Sequence, residues 1–365
     1  MTVPYIDSIM IIKRHKTRVA TIGNVKIGGN NLIAVQSMVK VPAKDIRATI
    51  EQIKKLESVG CQIARLAILD EQDAHAISQI RALSGIPLVA DIHFDWKLAI
   101  CAIKAGVDKI RLNPGNIHKK DEIREIVALA KEHKIPIRVG LNSGSLPKQL
   151  RHKGKLTPAQ RMVKAAQDYI EILEGLKFKD IVVSLKCSNI LDTIEAYQKM
   201  AQACDYPLHL GLTATGFIEN GKIKSAICLG SLLAQGIGDT IRVSLTGPPE
   251  EEVAVARSIL ANLGLGESGP EIISCPTCGR TQVDLEKIVN ELQAKLSGLG
   301  NSAFAKPVKI AVMGCVVNGP GEAEGADLAI ICGKAEGLLY RKAKVVKKVP
   351  IEKAVEALMQ ELKQM

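Results

Sequence analysis

The chain has 365 residues, 49 Lys and Arg against 38 Asp and Glu for a formal charge of +11, and 47% apolar with 24% charged residues. This is a globular composition with length for about two domains, and it excludes intrinsic disorder, collagen-like repeats and small disulfide-stapled scaffolds. Met1 to Arg18 carries only a short apolar run at Ile9–Ile12 and no secretory core, and no stretch approaches the ~18 apolar residues of a membrane helix. The expectation is a cytoplasmic protein, in which nine cysteines, an odd number, act as thiols or metal ligands.

The positive charge is concentrated early. Residues 270–365 hold 13 Lys/Arg and 11 Asp/Glu, or +2, which leaves +9 on residues 1–269. Aromatics are only 3%, too few for base-stacking platforms, so no nucleic-acid partner is expected. The basic stretch Arg341–Lys348 reads as the solvated face of a strand.

In chain order, short β-rich runs alternate with amphipathic helices. Strands are predicted at Ile33–Ser37, Gln62–Leu69, Ile86–Ile92, Val107–Leu112, Ile135–Val139, Asp180–Leu185, Tyr206–Leu212 and Asp239–Leu245. Helices follow at Asp45–Val59, Asp73–Leu83, Trp96–Ala105, Asp121–His133, Pro158–Leu176, Ile190–Ala203, Ile223–Ala234 and Pro249–Leu263. Eight strand-helix units imply parallel pairing and a closed (β/α)8 TIM barrel over residues 1–265. An open doubly wound sheet is the alternative, but none of these strands is followed by a G-x-G-x-x-G or Walker sequence. Past Gly264-Leu265-Gly266 the pattern changes to a small α+β domain, 266–365: Cys275-x-x-Cys278, a helix near Val283–Leu296, a Gly/Ser/Asn linker, strands at Val308–Met313 and Asp327–Ile331, a hairpin Leu338–Val349 and a last helix Pro350–Gln364.

Barrel chemistry sits at the C-terminal strand ends. Those ends carry Gln36, Arg65, Asp91 with His93, Arg111 with Asn113, Arg138 with Asn142, Lys186, His209, and Arg242 with Ser244. Five cations from five strands repel one another unless an anion offsets them, and the guanidinium fork suits a phosphate or diphosphate. The bland alternative is internal neutralisation by Asp91, Asp180 and Asp239. The turns Asn113–Asn116 and Asn142–Ser145 follow two of these strands and can offer backbone N–H groups to an anion.

Cys61, Cys101, Cys187, Cys204 and Cys228 share no spacing and read as buried small hydrophobes, Cys187 least securely because it adjoins Lys186. In the last domain Cys275, Cys278 and Cys315 offer three thiolates where zinc or an iron–sulfur cluster needs four ligands. Cys332 or Glu322 could be the fourth. A structural zinc knot normally shows two CxxC pairs, and only one is present.

Cys275-Pro-Thr-Cys-Gly-Arg280, Met313-Gly-Cys-Val-Val-Asn-Gly-Pro-Gly-Glu-Ala323, Val35-Gln-Ser-Met38, Ile110-Arg-Leu-Asn-Pro-Gly-Asn116, Arg138-Val-Gly-Leu-Asn-Ser-Gly-Ser-Leu146, Leu208-His-Leu-Gly211 and Gly236-Ile-Gly-Asp-Thr-Ile-Arg-Val-Ser-Leu245 together closely resemble the bacterial 4-hydroxy-3-methylbut-2-enyl diphosphate synthases of the methylerythritol phosphate pathway. The resemblance implies an iron–sulfur oxidoreductase of isoprenoid biosynthesis, a barrel that binds 2-C-methyl-D-erythritol 2,4-cyclodiphosphate, and a [4Fe-4S] cluster on Cys275, Cys278, Cys315 and Glu322. It also implies a homodimer fed by reduced flavodoxin or ferredoxin. Substrate contacts are expected at Arg65, His93, Arg111, Asn113, Arg138, Asn142, Lys186, Arg242 and Ser244, with Glu322, Lys186, Arg111 and Arg138 as catalytic groups.

Two departures from the family pattern stand out. Thr213-Ala214-Thr215-Gly216 replaces the usual Thr-Glu-Ala-Gly, so a proposed proton-donating carboxylate is missing, and Val39-Lys-Val-Pro-Ala43 replaces Thr-Asn-Thr-Asp-Thr. The other readings are a paralogue with altered chemistry, a non-catalytic diphosphate binder, or a zinc-stapled phosphosugar lyase or isomerase with Lys186 as a Schiff-base lysine.

Overall fold

The computed structural model describes residues 12–151, 154, 156–266, 270–297, 308–317 and 319–365. The chain divides into two compact units, Met1–Gly266 and Glu267–Met365. Most of the N-terminal stretch and most of the Gly/Ser/Asn linker read from the sequence lie outside the described residues.

In the first unit a small antiparallel hairpin, β1 (Ala20–Ile22) and β2 (Val25–Ile27), precedes the barrel. The barrel strands and their helices then alternate: β3 (Ala34–Met38), α1 (Ile46–Ser58), β4 (Ile63–Ile68), α2 (Glu71–Leu83), β5 (Leu88–Ile92), α3 (Trp96–Lys104), β6 (Lys109–Leu112), α4 (Lys120–Glu132) and β7 (Ile137–Asn142). After a short α5 (Lys148–Arg151) come α6 (Pro158–Gly175), β8 (Ile181–Lys186), α7 (Ile190–Ala203), β9 (His209–Leu210), α8 (Ile218–Ala234), β10 (Thr240–Ile241) and α9 (Pro249–Asn262). All neighbouring strands pair in parallel, in the order β8-β7-β6-β5-β4-β3-β10-β9.

The ring closes at the β8–β9 seam through one parallel bridge, Val183–Leu208, and through Tyr197. The buried Tyr197 hydroxyl accepts from Leu185 N at 3.1 Å and donates to His209 O at 2.6 Å, so a side chain from α7 supplies what the ladder lacks. Strands covered on both faces are continuous apolar runs, and all six residues of β8 are buried. The helices pack Ile, Leu and Ala against the outward strand residues. Several begin with caps each worth about 1 kcal/mol, such as Asp70 for α2 and the Thr157/Gln160 capping box for α6. At the opposite end of the strands the hairpin plugs the barrel: Ala20, Ile22 and Ile27 pack on the inward residues Ala34, Ile63, Val89 and Val182.

Two strands are shorter than their apolar runs. Beyond Leu210 and Ile241 the ladder yields to side chains: Ser244 Oγ donates to Leu212 O at 3.1 Å, Leu245 N donates to Glu252 Oε1 at 3.0 Å, and the Thr215 hydroxyl donates to Ser244 O. Helix α8 starts five residues earlier than the pattern suggests. Gly221 lies inside that added turn, where a Cβ would stand 2.7 Å from Leu245 Cδ2 and the leucine tip would have to shift.

The second unit is a five-stranded mixed sheet: β11 (Glu271–Ser274), β12 (Lys309–Met313), β13 (Leu328–Cys332), β14 (Glu336–Arg341) and β15 (Lys344–Pro350), the first three parallel and the last three antiparallel. One face packs Ile310, Val312, Leu328 and Ile330 against α10 (Leu285–Ser297) and α12 (Ala354–Leu362). The other packs Ala311, Met313, Ala329 and Ile331 against Ala323 and Ala326, which follow the one-turn α11 (Gly319–Glu322). The edge strand β15 is largely exposed, Val345 and Val346 included, as its lysines suggest.

Candidate active site

Successive residues of a strand point to opposite faces. Val89 and Ile63 face the barrel floor, so Asp91 and Arg65, two residues on, face the same interior one layer higher. Register aligns Asp91, Arg111 and Arg138 directly across β5, β6 and β7, and Asn142 with Lys186 across β7 and β8. Arg65, Arg111, Arg138 and Lys186 are all buried, and the Arg242 side chain is 13% exposed.

Two carboxylates organise this cluster. Arg111 Nη1 donates to Asp91 Oδ1 at 3.0 Å, Arg65 Nε lies 3.8 Å from Asp91 Oδ2, and His93 Nε2 lies 3.4 Å from the same oxygen. Burial alone would raise the Asp91 carboxyl, but Arg65, Arg111, the His93 hydrogen bond and Arg138 outweigh it and hold it well below the usual carboxylate range. The second carboxylate is Glu252 in the first turn of α9. It receives Arg242 Nη2 at 3.1 Å, Lys40 Nζ at 3.0 Å and Ser37 Oγ at 3.2 Å, while Arg242 Nη1 donates to Ser244 Oγ.

Asp180 and Asp239 do not neutralise the ring. Asp180 is exposed at the other end of the barrel, lining an open cleft of about 620 Å³ with Thr21, Asp108, His133 and Lys134. Asp239 is engaged by Arg14 at 2.8 Å, Thr17 Oγ1 at 2.9 Å and Leu208 N at 2.8 Å.

Glycine makes the room. A Cβ on Gly140 would stand 2.4 Å from Arg111 Nε, and one on Gly211 would stand 2.9 Å from Lys186 Nζ. Through the first gap Arg111 Nη2 reaches Gly140 O at 2.7 Å. Asn113 is fully buried and pins the two mouth turns together, donating from Nδ2 to Ser145 Oγ at 2.8 Å and accepting from Gly115 N at 3.0 Å. Asn142 and the half-exposed His93 stand at the rim.

The cluster carries unmet donors. Arg138 leaves Nε and Nη1 without partners, Arg111 and Arg242 leave Nε, His209 leaves Nε2, and Lys109 leaves Nζ. Burial, then Arg65 and Arg111, push the Arg138 guanidinium well down, and burial with Arg65 and Arg138 does the same to Lys186. Buried cations with spare hydrogen-bond donors are what an anion with several acceptor oxygens would satisfy. Strand-end reading missed Lys109 and Glu252. Lys109 sits two residues before Arg111 on the same face, a signal present in Lys109-Ile-Arg111; Glu252 is indistinguishable in sequence from the exposed acids usual in a first helical turn.

Ala214 is exposed in left-handed backbone (φ 53°) beside Gly216, and Thr213 N donates to Cys187 O at 3.2 Å. Cys187 is itself buried, its thiol pushed up to about 11 by burial, and Cys61 and Cys228 are buried likewise.

In the second unit the CxxC turn docks on the strand end that precedes Cys315. Gly314 N donates to Cys275 Sγ at 3.4 Å, Gln282 N donates to Gly314 O at 3.2 Å, and Cys278 N donates to Thr281 Oγ1 at 3.1 Å. Glu322 ends α11 exposed, whereas Cys332 is fully buried with its thiol pushed up to about 11 by burial. Among the described residues, no three His, Cys, Asp or Glu side chains stand close enough to share a metal ion, so the four proposed ligands lie near one another in topology but are not gathered at ligand distances. Their chemistry suits iron: three thiols outside any disulfide, one already accepting a backbone N–H, and an accessible carboxylate.

Fold and site together define a TIM-barrel protein with a cationic, anion-seeking mouth and a separate thiol-bearing unit. Two family models match the chain: the GcpE TIM-barrel domain over residues 17–257 and the GcpE protein C-terminal domain over residues 271–364. The chain belongs to the GcpE family. It is 52% identical over 357 residues to the 4-hydroxy-3-methylbut-2-en-1-yl diphosphate synthase (flavodoxin) of Caldanaerobacter subterraneus, covering 98% of this chain and 99% of the relative. It is also 52% identical over 353 residues to the protein of the same name from Dehalococcoides mccartyi, covering 97% and 99%. Among solved structures, dihydropteroate synthase from Stenotrophomonas maltophilia matches with a TM-score of 0.52 at 13% identity, covering 67% of this chain and 96% of that one, a likeness of fold alone.

Proposed function

We infer that the chain forms 4-hydroxy-3-methylbut-2-en-1-yl diphosphate, the product for which its relatives are named, from 2-C-methyl-D-erythritol 2,4-cyclodiphosphate. The observation that carries this reading is the ring of Arg65, Arg111, Arg138, Lys186 and Arg242, buried except for the partly exposed Arg242, with spare donors on Arg111, Arg138 and Arg242 that match a diphosphate. In this reading Arg138, Arg111 and Lys186 hold the phosphoryl oxygens, Arg65 and Arg242 close the ring, and Asn113, Asn142, Ser244 and His93 orient the carbon skeleton.

Cys275, Cys278, Cys315 and Glu322 would hold a [4Fe-4S] cluster, with Glu322 as the weakest ligand. When bound there, the cluster supplies the two electrons singly from reduced flavodoxin or ferredoxin. The ring C–O bond breaks, the hydroxyl departs as water with one proton, and the product diphosphate carries one more negative charge than the substrate. Preorganised arginines stabilise that charge as it develops. The same reading takes the enzyme to be a homodimer of the reducing cytoplasm, where the thiols stay reduced.

The test is anaerobic turnover of the cyclodiphosphate by iron-loaded protein with reduced flavodoxin, product read by phosphorus NMR. Appearance of the linear diphosphate is expected; its absence from protein of full iron content overturns the reading. Arg138→Ala should weaken cyclodiphosphate binding tenfold or more, the effect of losing about 1.5–3 kcal/mol of charged hydrogen bonding, with iron content unchanged.

A further inference from the structure

Among the described residues, six basic side chains (Arg65, Lys109, Arg111, Arg138, Lys186 and Arg242) crowd the barrel interior against two carboxylates, Asp91 and Glu252. Lys109 is the one not at the rim. It is fully buried and in register with Val89 of the floor cluster, and it shares the inner face with Arg111 two residues on. Its Nζ has no partner, and on the same inner wall Arg138 Nε and Nη1, His209 Nε2 and both amide atoms of Gln36 are also unpartnered. Arginine keeps its proton at any physiological pH. The amines are therefore the members of the cluster whose charge can follow a ligand.

We propose that the diphosphate does not bind alone: protons enter the cluster with it, one taken up by Lys109 behind the mouth and one by Lys186 at the mouth as the anion seats. The inference rests on the diphosphate reading above and adds Lys109 to it as a charge behind the rim, on the same inner face as Arg111. Burial, then Arg138 and Arg65, hold the Lys109 ammonium well below its ordinary range; burial and the neighbouring arginines do the same for Lys186. Asp91 on β5 is already spent on Arg65 and Arg111, so it offers Lys109 little compensation. His209 on β9 is fully buried and pushed down by burial, then by Lys186, Arg138 and Lys109, so a proton on either lysine disfavours one on the imidazole. An arriving anion reverses the field on both amines. Each phosphoryl group of a cyclic diphosphate diester is strongly acidic, so the ligand brings no titrating proton of its own.

The test is calorimetric titration of the cyclodiphosphate into iron-loaded, unreduced enzyme between pH 6 and 9, in buffers of different ionisation enthalpy, so that the buffer-dependent heat counts protons. About two protons taken up per site are expected, one for each lysine, with affinity falling about tenfold per pH unit for each. Lys109→Met, which keeps the length of the side chain and removes the amine, should lower the uptake by about one proton while binding persists. His209→Gln should leave the uptake unchanged. Binding without uptake in the unmodified enzyme overturns the proposal, as does wild-type uptake in Lys109→Met or a lost proton in His209→Gln. If Lys109→Met does not fold, the unmodified enzyme and His209→Gln still decide. No binding heat at all overturns the diphosphate reading itself, and this inference with it.

Discussion

At the scale of single residues, the absent carboxylate at Ala214 raises the question of what donates the proton that leaves with the hydroxyl. Ala214 sits in left-handed backbone at a cost of about 1 kcal/mol that its own Cβ already incurs, so a glutamate there would add little strain. His93 is the better placed group: half-exposed at the rim, 3.4 Å from Asp91 and 3.2 Å from Arg111 Nη1. Asp91 orients it in the way a buried carboxylate orients an imidazole acid. His93→Gln should therefore lower kcat by about 10²-fold or more, a larger effect than its lost substrate contact has on KM, as loss of a general acid does. Ala214→Glu should change kcat by less than about tenfold in the same steady-state assay. A large gain from Ala214→Glu would move the proton donor to that position instead.

At the scale of elements, the eight strand-helix units are legible because parallel strands buried on both faces must be apolar runs and their covering helices must be amphipathic. What escapes is whatever is too short to show a period. Hairpin strands β1 and β2 have three residues each, and β9 and β10 keep two because side chains of Ser244, Thr215 and Glu252 replace their ladder. The rim positions of Arg65, Arg111, Arg138, Lys186 and Arg242 follow from strand ends, whereas the other charges of the cluster, Glu252 and Lys109, depend on which helix turn and which strand face point inward. Tyr197 is the least legible of all, a helix residue completing a sheet seam. Tyr197→Phe strands Leu185 N and His209 O and should destabilise the barrel by about 1–3 kcal/mol in urea unfolding, with the denaturant slope unchanged. A loss below about 0.5 kcal/mol would mean that the bridge at Val183–Leu208 holds the seam unaided.

At the scale of the whole molecule, the two units divide the chemically active groups: buried cations in the barrel, thiols and a carboxylate on a separate small sheet. The barrel carries its buried cations as a standing destabilisation, and linkage gives that a measurable sign. The Lys109 and Lys186 amines bind protons less tightly in the folded chain than in the unfolded one. Between their depressed folded values and the ordinary lysine range the unfolded state holds more protons, so stability rises with pH there, by up to about 1.4 kcal/mol per pH unit for each amine. Asp91 also has a depressed folded value, but as an acid it stabilises above the ordinary carboxylate range and loses that contribution only in strong acid, well outside this window. Ligand-free protein should therefore grow more resistant to urea as pH rises from 7 toward 8; above that the buried thiols of Cys61, Cys187, Cys228 and Cys332, pushed up by burial, oppose the trend because they ionise first in the unfolded chain. Lys109→Met should be more stable than the unmodified chain at pH 7 and should show a shallower rise, because a buried amine without a partner has been replaced by an apolar group of similar length. Equal slopes in the two proteins would mean that Lys109 keeps its proton in the folded barrel, and the charge that makes the mouth attract a diphosphate would then be fixed rather than drawn in by the ligand.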